Sequence, residues 1–132
     1  MFFHTTQLPG RILIKNDEFI IFLFNEDMKI AVFGTIPFSD LIKEGFKKLG
    51  HEVSNNNPDL IFANDPLGYQ DATFLKAQYP NVCLILNVLD IPWHFPNIEK
   101  QYEVLIKRFF NKAEYITAIS YKVKKDLAKF FD

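Results

Sequence analysis

Four short, almost unbroken apolar runs constrain this chain more than any other feature. They are Ile-Ala-Val-Phe at 30–33, Leu-Ile-Phe-Ala at 60–63, Val-Cys-Leu-Ile-Leu-Asn-Val-Leu at 82–89 and Tyr-Ile-Thr-Ala-Ile at 115–119. Runs of this length that do not alternate with polar residues read as strands covered on both faces. Stretches of helical spacing lie between them. Ser39 or Asp40 stands where a residue could cap a helix bearing Leu41, Ile42, Phe46 and Leu49, with Gly50 closing it. His51-Glu-Val53 is at most a stub of strand before the turn-rich residues 54–58. A second helix is expected within residues 68–79, stopped by Pro80. A third is expected over 98–111, with Tyr102, Leu105, Ile106 and Phe109 on one face. A fourth follows Tyr121 behind a Ser120 cap, with Val123, Leu127, Phe130 and Phe131 as its apolar positions.

Strands alternating with helices across short loops predict an α/β fold, a parallel sheet with helices on both faces. Right-handed crossovers make it Rossmann-like, spanning residues 28–132 as one domain. Ligands of such sheets bind beyond the carboxyl ends of the strands, where the strand order reverses. The loops to watch are therefore 34–39, 64–68, 90–96 and 120–122. Residues 1–27 precede this body as an extension. Apolar runs at 11–14 and 19–24 flank Lys15-Asn-Asp-Glu18, a hairpin-like pattern. A start at Met28, with the first 27 codons as upstream sequence, is the equal alternative. A secretory leader is disfavoured by Asp17 and Glu18 before the second run and by the lack of a small-residue cleavage site.

Length and composition narrow the function classes. The 132 residues suit one domain, and 48% hydrophobic with 23% charged residues is the balance of a globular chain. A net charge of −1 removes nucleic acid as the default partner. The longest apolar run, residues 19–24, falls far short of the roughly 20 residues of a membrane helix. A lone Cys83 forms no internal disulfide, which fits a reducing, cytoplasmic setting. Cys83 lies within a strand and reads as inert core rather than as a nucleophile. His4, His51 and His94 are scattered without ligand spacing, so no metal site is expected. Eight Lys and Arg against three acidic residues over 100–129 give that segment a positive surplus. It reads first as solvated helix faces and second as a peripheral contact with an anionic membrane.

Three clusters carry candidate chemistry. Gly34 and Thr35 follow the first strand and open a helix, where backbone N–H groups can face an anion. The glycine spacing of a dinucleotide site is absent, as is the P-loop pattern, and a plain turn explains the loop equally well. Asp65 ends the next strand, where it can orient a hydroxyl-bearing ligand, although an Asp before Pro66 is also an ordinary turn starter. Asp90-Ile-Pro-Trp-His94 is the densest cluster, placing a carboxylate, the single Trp93 and an imidazole at a strand end. An indole face packs on sugar C–H surfaces while Asp90 and His94 bond hydroxyls, and His94 can serve as a general base. A Pro-bounded surface loop with a half-buried Trp is the plainer alternative.

The order of these pieces resembles the amino-terminal half of group 1 glycosyltransferases (family 4, the GT-B architecture). The resemblance is carried by Met-Lys-Ile-Ala-Val-Phe-Gly at 28–34, Gly-His-Glu-Val at 50–53, Pro-Asp-Leu-Ile-Phe-Ala at 58–63, and Lys-Ala-Glu-Tyr-Ile-Thr-Ala-Ile-Ser at 112–120 followed by Val-Lys-Lys-Asp-Leu at 123–127. The resemblance implies the acceptor-side domain of a retaining glycosyltransferase, which moves a sugar from a nucleotide-sugar co-substrate to a hydroxyl acceptor with no resident cofactor. It implies that Gly34 and Thr35 lie near the donor diphosphate, that Asp90 matches the acidic member of a His-Asp pair with His94 as neighbour, and that Ser120 is the signature serine. The paired glycines usual after the first strand are missing, and Leu89 stands where the His of the pair is usual. The Glu-x7-Glu element of the donor domain has no counterpart, so the chain is expected to be half an enzyme, truncated or split, and inactive by itself. The implied partners are a sugar or glycolipid acceptor and a carboxyl-terminal donor domain or partner subunit. The alternatives are a stand-alone flavodoxin-like binding or regulatory module and a non-catalytic remnant that pairs with another chain.

Overall fold

The computed structural model describes residues 12–14, 27–89 and 100–131. Its elements, in chain order, are β1 (Ile12–Ile14), β2 (Lys29–Phe33), α1 (Phe38–Lys48), β3 (Glu52–Val53), β4 (Leu60–Ala63), α2 (Pro66–Gln78), β5 (Cys83–Val88), α3 (Lys100–Lys112), β6 (Tyr115–Ala118) and α4 (Tyr121–Phe131). The strands form one sheet in the order β1-β6-β5-β4-β2-β3, and every pair in it is parallel. The fold is α/β and Rossmann-like.

Two cores cover the two faces, and the alternation of side chains along each strand assigns them. On one face Ala31, Ile61, Leu84, Leu86 and Ile116 meet Tyr69 and Ala72 of α2 and Ile106 and Phe110 of α3. On the other, Ile30, Val32, Leu60, Phe62 and Ile85 meet Phe46 and Ile42 of α1. Among the described residues Phe110 is the largest side chain to be fully buried, a placement that contributes about 1.5–3 kcal/mol. α4 adds Val123 and Leu127 to the first core and lies along β1 and β6.

The ends of the elements carry the corrections. α1 has Pro37, not Ser39 or Asp40, at its cap position, and no side chain bonds its first turn. The backbone does that work: Ser39 N–H donates to the Thr35 carbonyl and Leu41 N–H to that of Pro37. Ser39 is thus inside the first turn and buried, while Leu41, expected on the apolar face, points to solvent. Gly50 closes the helix as expected, at φ +95°, with its N–H on the Lys47 carbonyl. No helix lies between β3 and β4. The link is a turn held by Ser54 Oγ, which accepts from Asn56 N–H at 3.1 Å, and by Tyr79, whose hydroxyl accepts from Asn57 N–H at 3.3 Å.

The first arm of the expected hairpin, β1, pairs in parallel with β6 at the edge of the sheet. The second arm, residues 19–24, lies outside the described residues. At the start of β2, His51 Nδ1 accepts from Met28 N–H at 3.1 Å, and the His51 ring meets Phe46 edge-on. No helix among the described residues is long and apolar enough to cross a membrane.

Candidate functional site

From β2 the chain moves outward to β3, then crosses back to β4 on the other side of β2. The strand order reverses there, so the loops after β2 and β4 part and leave a crevice at their carboxyl ends. A cleft of about 480 Å³ opens at this point. Thr35 comes from the loop after β2 and Phe38 from the start of α1. Asp65, Leu67 and Gln70 come from the first turns of α2 and the residue before it. Leu89, just past β5, and the α3 face of Leu105, Ile106 and Phe109 complete the wall.

Asp65 organises the cleft. As the cap of α2 it accepts from Leu67 N–H at 3.1 Å and Gly68 N–H at 3.2 Å through Oδ1. Its Oδ2 accepts from Thr35 N–H at 2.6 Å. One carboxylate therefore satisfies two helix donors and ties the loop after β2 to the loop after β4. Pro66 follows at the first helical position, where its missing N–H costs nothing. The Asp-Pro pair, read from the sequence as a turn starter, proves to be a helix cap, and α2 starts two residues before the expected window.

Two glycines let the loops come this close. Gly34 sits at φ +152°, and a Cβ there would approach Asn64 Cβ to 3.1 Å and Asp65 Oδ2 to 3.2 Å. Gly68 has no positive φ, but a Cβ on it would lie 2.7 Å from Gly34 N and 2.8 Å from Phe33 O. The first turn of α2 thus rests directly on the backbone leaving β2.

Beside the cleft runs a polar ladder that sequence reasoning missed. Asn87 Nδ2 donates to Asn64 Oδ1 at 2.8 Å, and Thr117 Oγ1 donates to Asn87 Oδ1 at 2.6 Å. Tyr69 OH donates to the Asn87 carbonyl at 2.6 Å, which joins α2 to the ladder. The three side chains stand level across β4, β5 and β6 because Asn87 is in register with Thr117 and Asn64 follows Ala63, the partner of Leu86. Only the spacing of separate strands brings them together, and a single polar residue inside an apolar run gives no hint of it.

The residues singled out from the sequence divide as follows. Thr35 and Asp65 line the cleft, and Gly34 is the turn beneath it. Thr35 N–H, the group that would meet a diphosphate, is occupied by the Asp65 carboxylate. Ser120 stands apart from the cleft and caps α4, its Oγ accepting from Val123 N–H at 3.2 Å. Asp90, Trp93 and His94 lie outside the described residues, although they follow directly on Leu89. Among the described residues, no three His, Cys, Asp or Glu side chains converge as a metal site.

Cys83 is at the opposite end of the sheet. Burial, reinforced by Glu114 and partly offset by Lys76, pushes its thiol up to about 12. Glu114 holds this end together. It accepts from Leu84 N–H at 2.7 Å and pairs with Lys76, whose ammonium also bonds the Val82 carbonyl.

Compared with protein-family models, curated proteins and solved structures, the chain finds no match.

Proposed function

We propose that this chain is the acceptor-side domain of a retaining glycosyltransferase, working with a separate donor-binding domain. The observation that supports this reading is the open cleft at the switch point, a wall with apolar side chains left in solvent. Phe38 is 55% exposed, Leu67 72% and Leu105 43%, and all three face the same opening. A self-sufficient small domain has little reason to leave such a wall uncovered, whereas a half-site needs one. The collinear segments that resemble the glycosyltransferase family run through β2, β4 and β6, and the loops after β2 and β4 open the cleft.

In this reading the domain contributes position rather than covalent chemistry. Holding the acceptor hydroxyl against a donor bound opposite converts a two-molecule encounter into a near-attack arrangement. Thr35 and Gln70 supply hydroxyl and amide groups at the rim for that hydroxyl. Asp90 and His94, next in sequence after the Leu89 wall, are the proposed acidic and basic members, with Trp93 as a stacking surface. The diphosphate of the donor rests on the other domain, because the Asp65 carboxylate occupies the amide that would receive it here.

The strand order favours a second reading. Without β1 it is that of flavodoxin-like sheets, whose ligand sits at the same switch point. An amide-resolved NMR titration separates the two. Methyl glycosides should shift the amides of Thr35, Leu67 and Gln70, while a nucleotide sugar alone should leave Thr35 unmoved, and the isolated chain should transfer no sugar. Saturable binding of a flavin or free nucleotide in the cleft would replace the first reading with the second. Turnover by the isolated chain would remove the two-domain requirement.

A further inference from the structure

We infer that the cleft takes an uncharged acceptor carried on an apolar group, an alkyl or aryl glycoside in chemical class rather than a free sugar or a phosphorylated one. The inference rests on the reading above and concerns what the same site prefers. Three observations carry it.

The first is the chemistry of the wall. Phe38, Pro66, Leu67, Leu105, Ile106 and Phe109 supply most of the lining, and they come from three helices that converge on one opening. Sugar sites built for hydroxyls alone present many directed polar groups, since each buried hydroxyl needs a partner. Among the described residues this wall offers few. The second is that the one charge among its described lining residues, Asp65, is already engaged. Both Asp65 oxygens accept from backbone N–H groups, and a phosphate entering the cleft would meet that carboxylate without the Thr35 amide to offset it. Repulsion and a missing donor both exclude an anion. The third is capacity. A volume of about 480 Å³ is in the range of small-molecule sites and has room for a ring with a short chain or a second ring.

The polar groups left at the rim fit the other end of such a molecule. The Thr35 hydroxyl and the Gln70 side-chain amide, both cleft-lining, are neutral and stand where the loop after β2 meets α2. An amphiphile would bury its apolar part between α2 and α3 and keep its hydroxyls toward Thr35 and Gln70.

A series of methyl, hexyl and octyl β-D-glucosides, titrated into the full chain below micelle concentrations, tests this. Affinity should rise by about two- to fourfold for each methylene that enters the cleft. Leu67→Glu and Leu105→Glu should each weaken octyl glucoside at least tenfold and flatten the chain-length series. Both positions are exposed, and unchanged thermal unfolding will show that each variant folds. Glucose or uridine diphosphate bound at the cleft as tightly as octyl glucoside would overturn the inference. So would a chain-length series that neither variant alters. Octan-1-ol serves as the separating control. If it binds as well as octyl glucoside, the apolar specificity stands and the glycosyltransferase reading fails.

Discussion

Asp65 carries more of the site than a single carboxylate usually does, because three backbone donors, one from the loop after β2 and two from the first turn of α2, end on it. Asp65→Ala should therefore cost about 1–2 kcal/mol in urea unfolding, the range of a lost helix cap, with the Thr35 loop loosened as well. Asp65→Asn should fall between, since one of its two oxygens becomes a donor that faces another donor. Gly68 is a comparable point of contact without any polar chemistry. Gly68→Ala should destabilise the domain by about 1–3 kcal/mol, because its methyl has only the backbone of Phe33 and Gly34 to displace. Cys83 gives the pH test. Its thiol is held neutral in the fold up to about pH 12, while the unfolded thiol ionises near its ordinary value of 9.0. Stability should thus be unaffected by this group below pH 9 and decline as pH rises from 9 toward 12. In Cys83→Ala, that part of the decline should vanish from alkaline unfolding curves. A thiol reagent at pH 8 should label the native protein far more slowly than the urea-unfolded chain.

At the scale of elements, the ladder from Asn64 through Asn87 to Thr117 behaves as one unit. Asn87→Ala removes the middle rung and leaves Asn64 Oδ1 and Thr117 Oγ1 without their partner, at a cost of about 1–3 kcal/mol. A double-mutant cycle with Thr117→Val should be clearly non-additive, as for groups in a single network. Legibility in the sequence follows the range of the interactions. The apolar runs of β2, β4, β5 and β6 were readable because a strand covered on both faces has no polar side to conceal it. The Ser120 cap and the Gly50 stop were readable because each acts within one turn. The start of α1 was not, since carbonyls of Thr35 and Pro37 replace the side-chain cap that a sequence would advertise. The Asp-Pro at 65–66 showed a turn, but its reach to Thr35 depends on a neighbouring strand 30 residues away. The cleft wall was partly visible: Leu105 belonged to an expected apolar face, yet only the packing of α3 against α2 turns it outward into an opening.

For the whole molecule, the pairing of β1 with β6 makes residues before Met28 part of the sheet. A chain begun at Met28 would leave β6 as an open edge, paired with β5 on one side and with its outward-facing N–H and C=O groups unpaired. Such a variant should melt several degrees lower and self-associate with rising concentration, as thermal unfolding and sedimentation would show. Equal melting points for the two lengths would mean that β1 adds nothing to stability. At the other edge β3 is only two residues long, which limits pairing with a second molecule.

The same pairing has a temporal side. Among the described residues β1 is the first strand in the chain, and its neighbour β6 is the last, roughly a hundred residues later. At ordinary elongation rates β1 emerges about 5–20 s before the strand it rests on exists. Ile12, Leu13 and Ile14 must wait through that interval as an unpaired apolar triplet, while β2, β4 and β5 can already pair with each other. A nascent chain that stalls before Tyr115 therefore has no partner for β1.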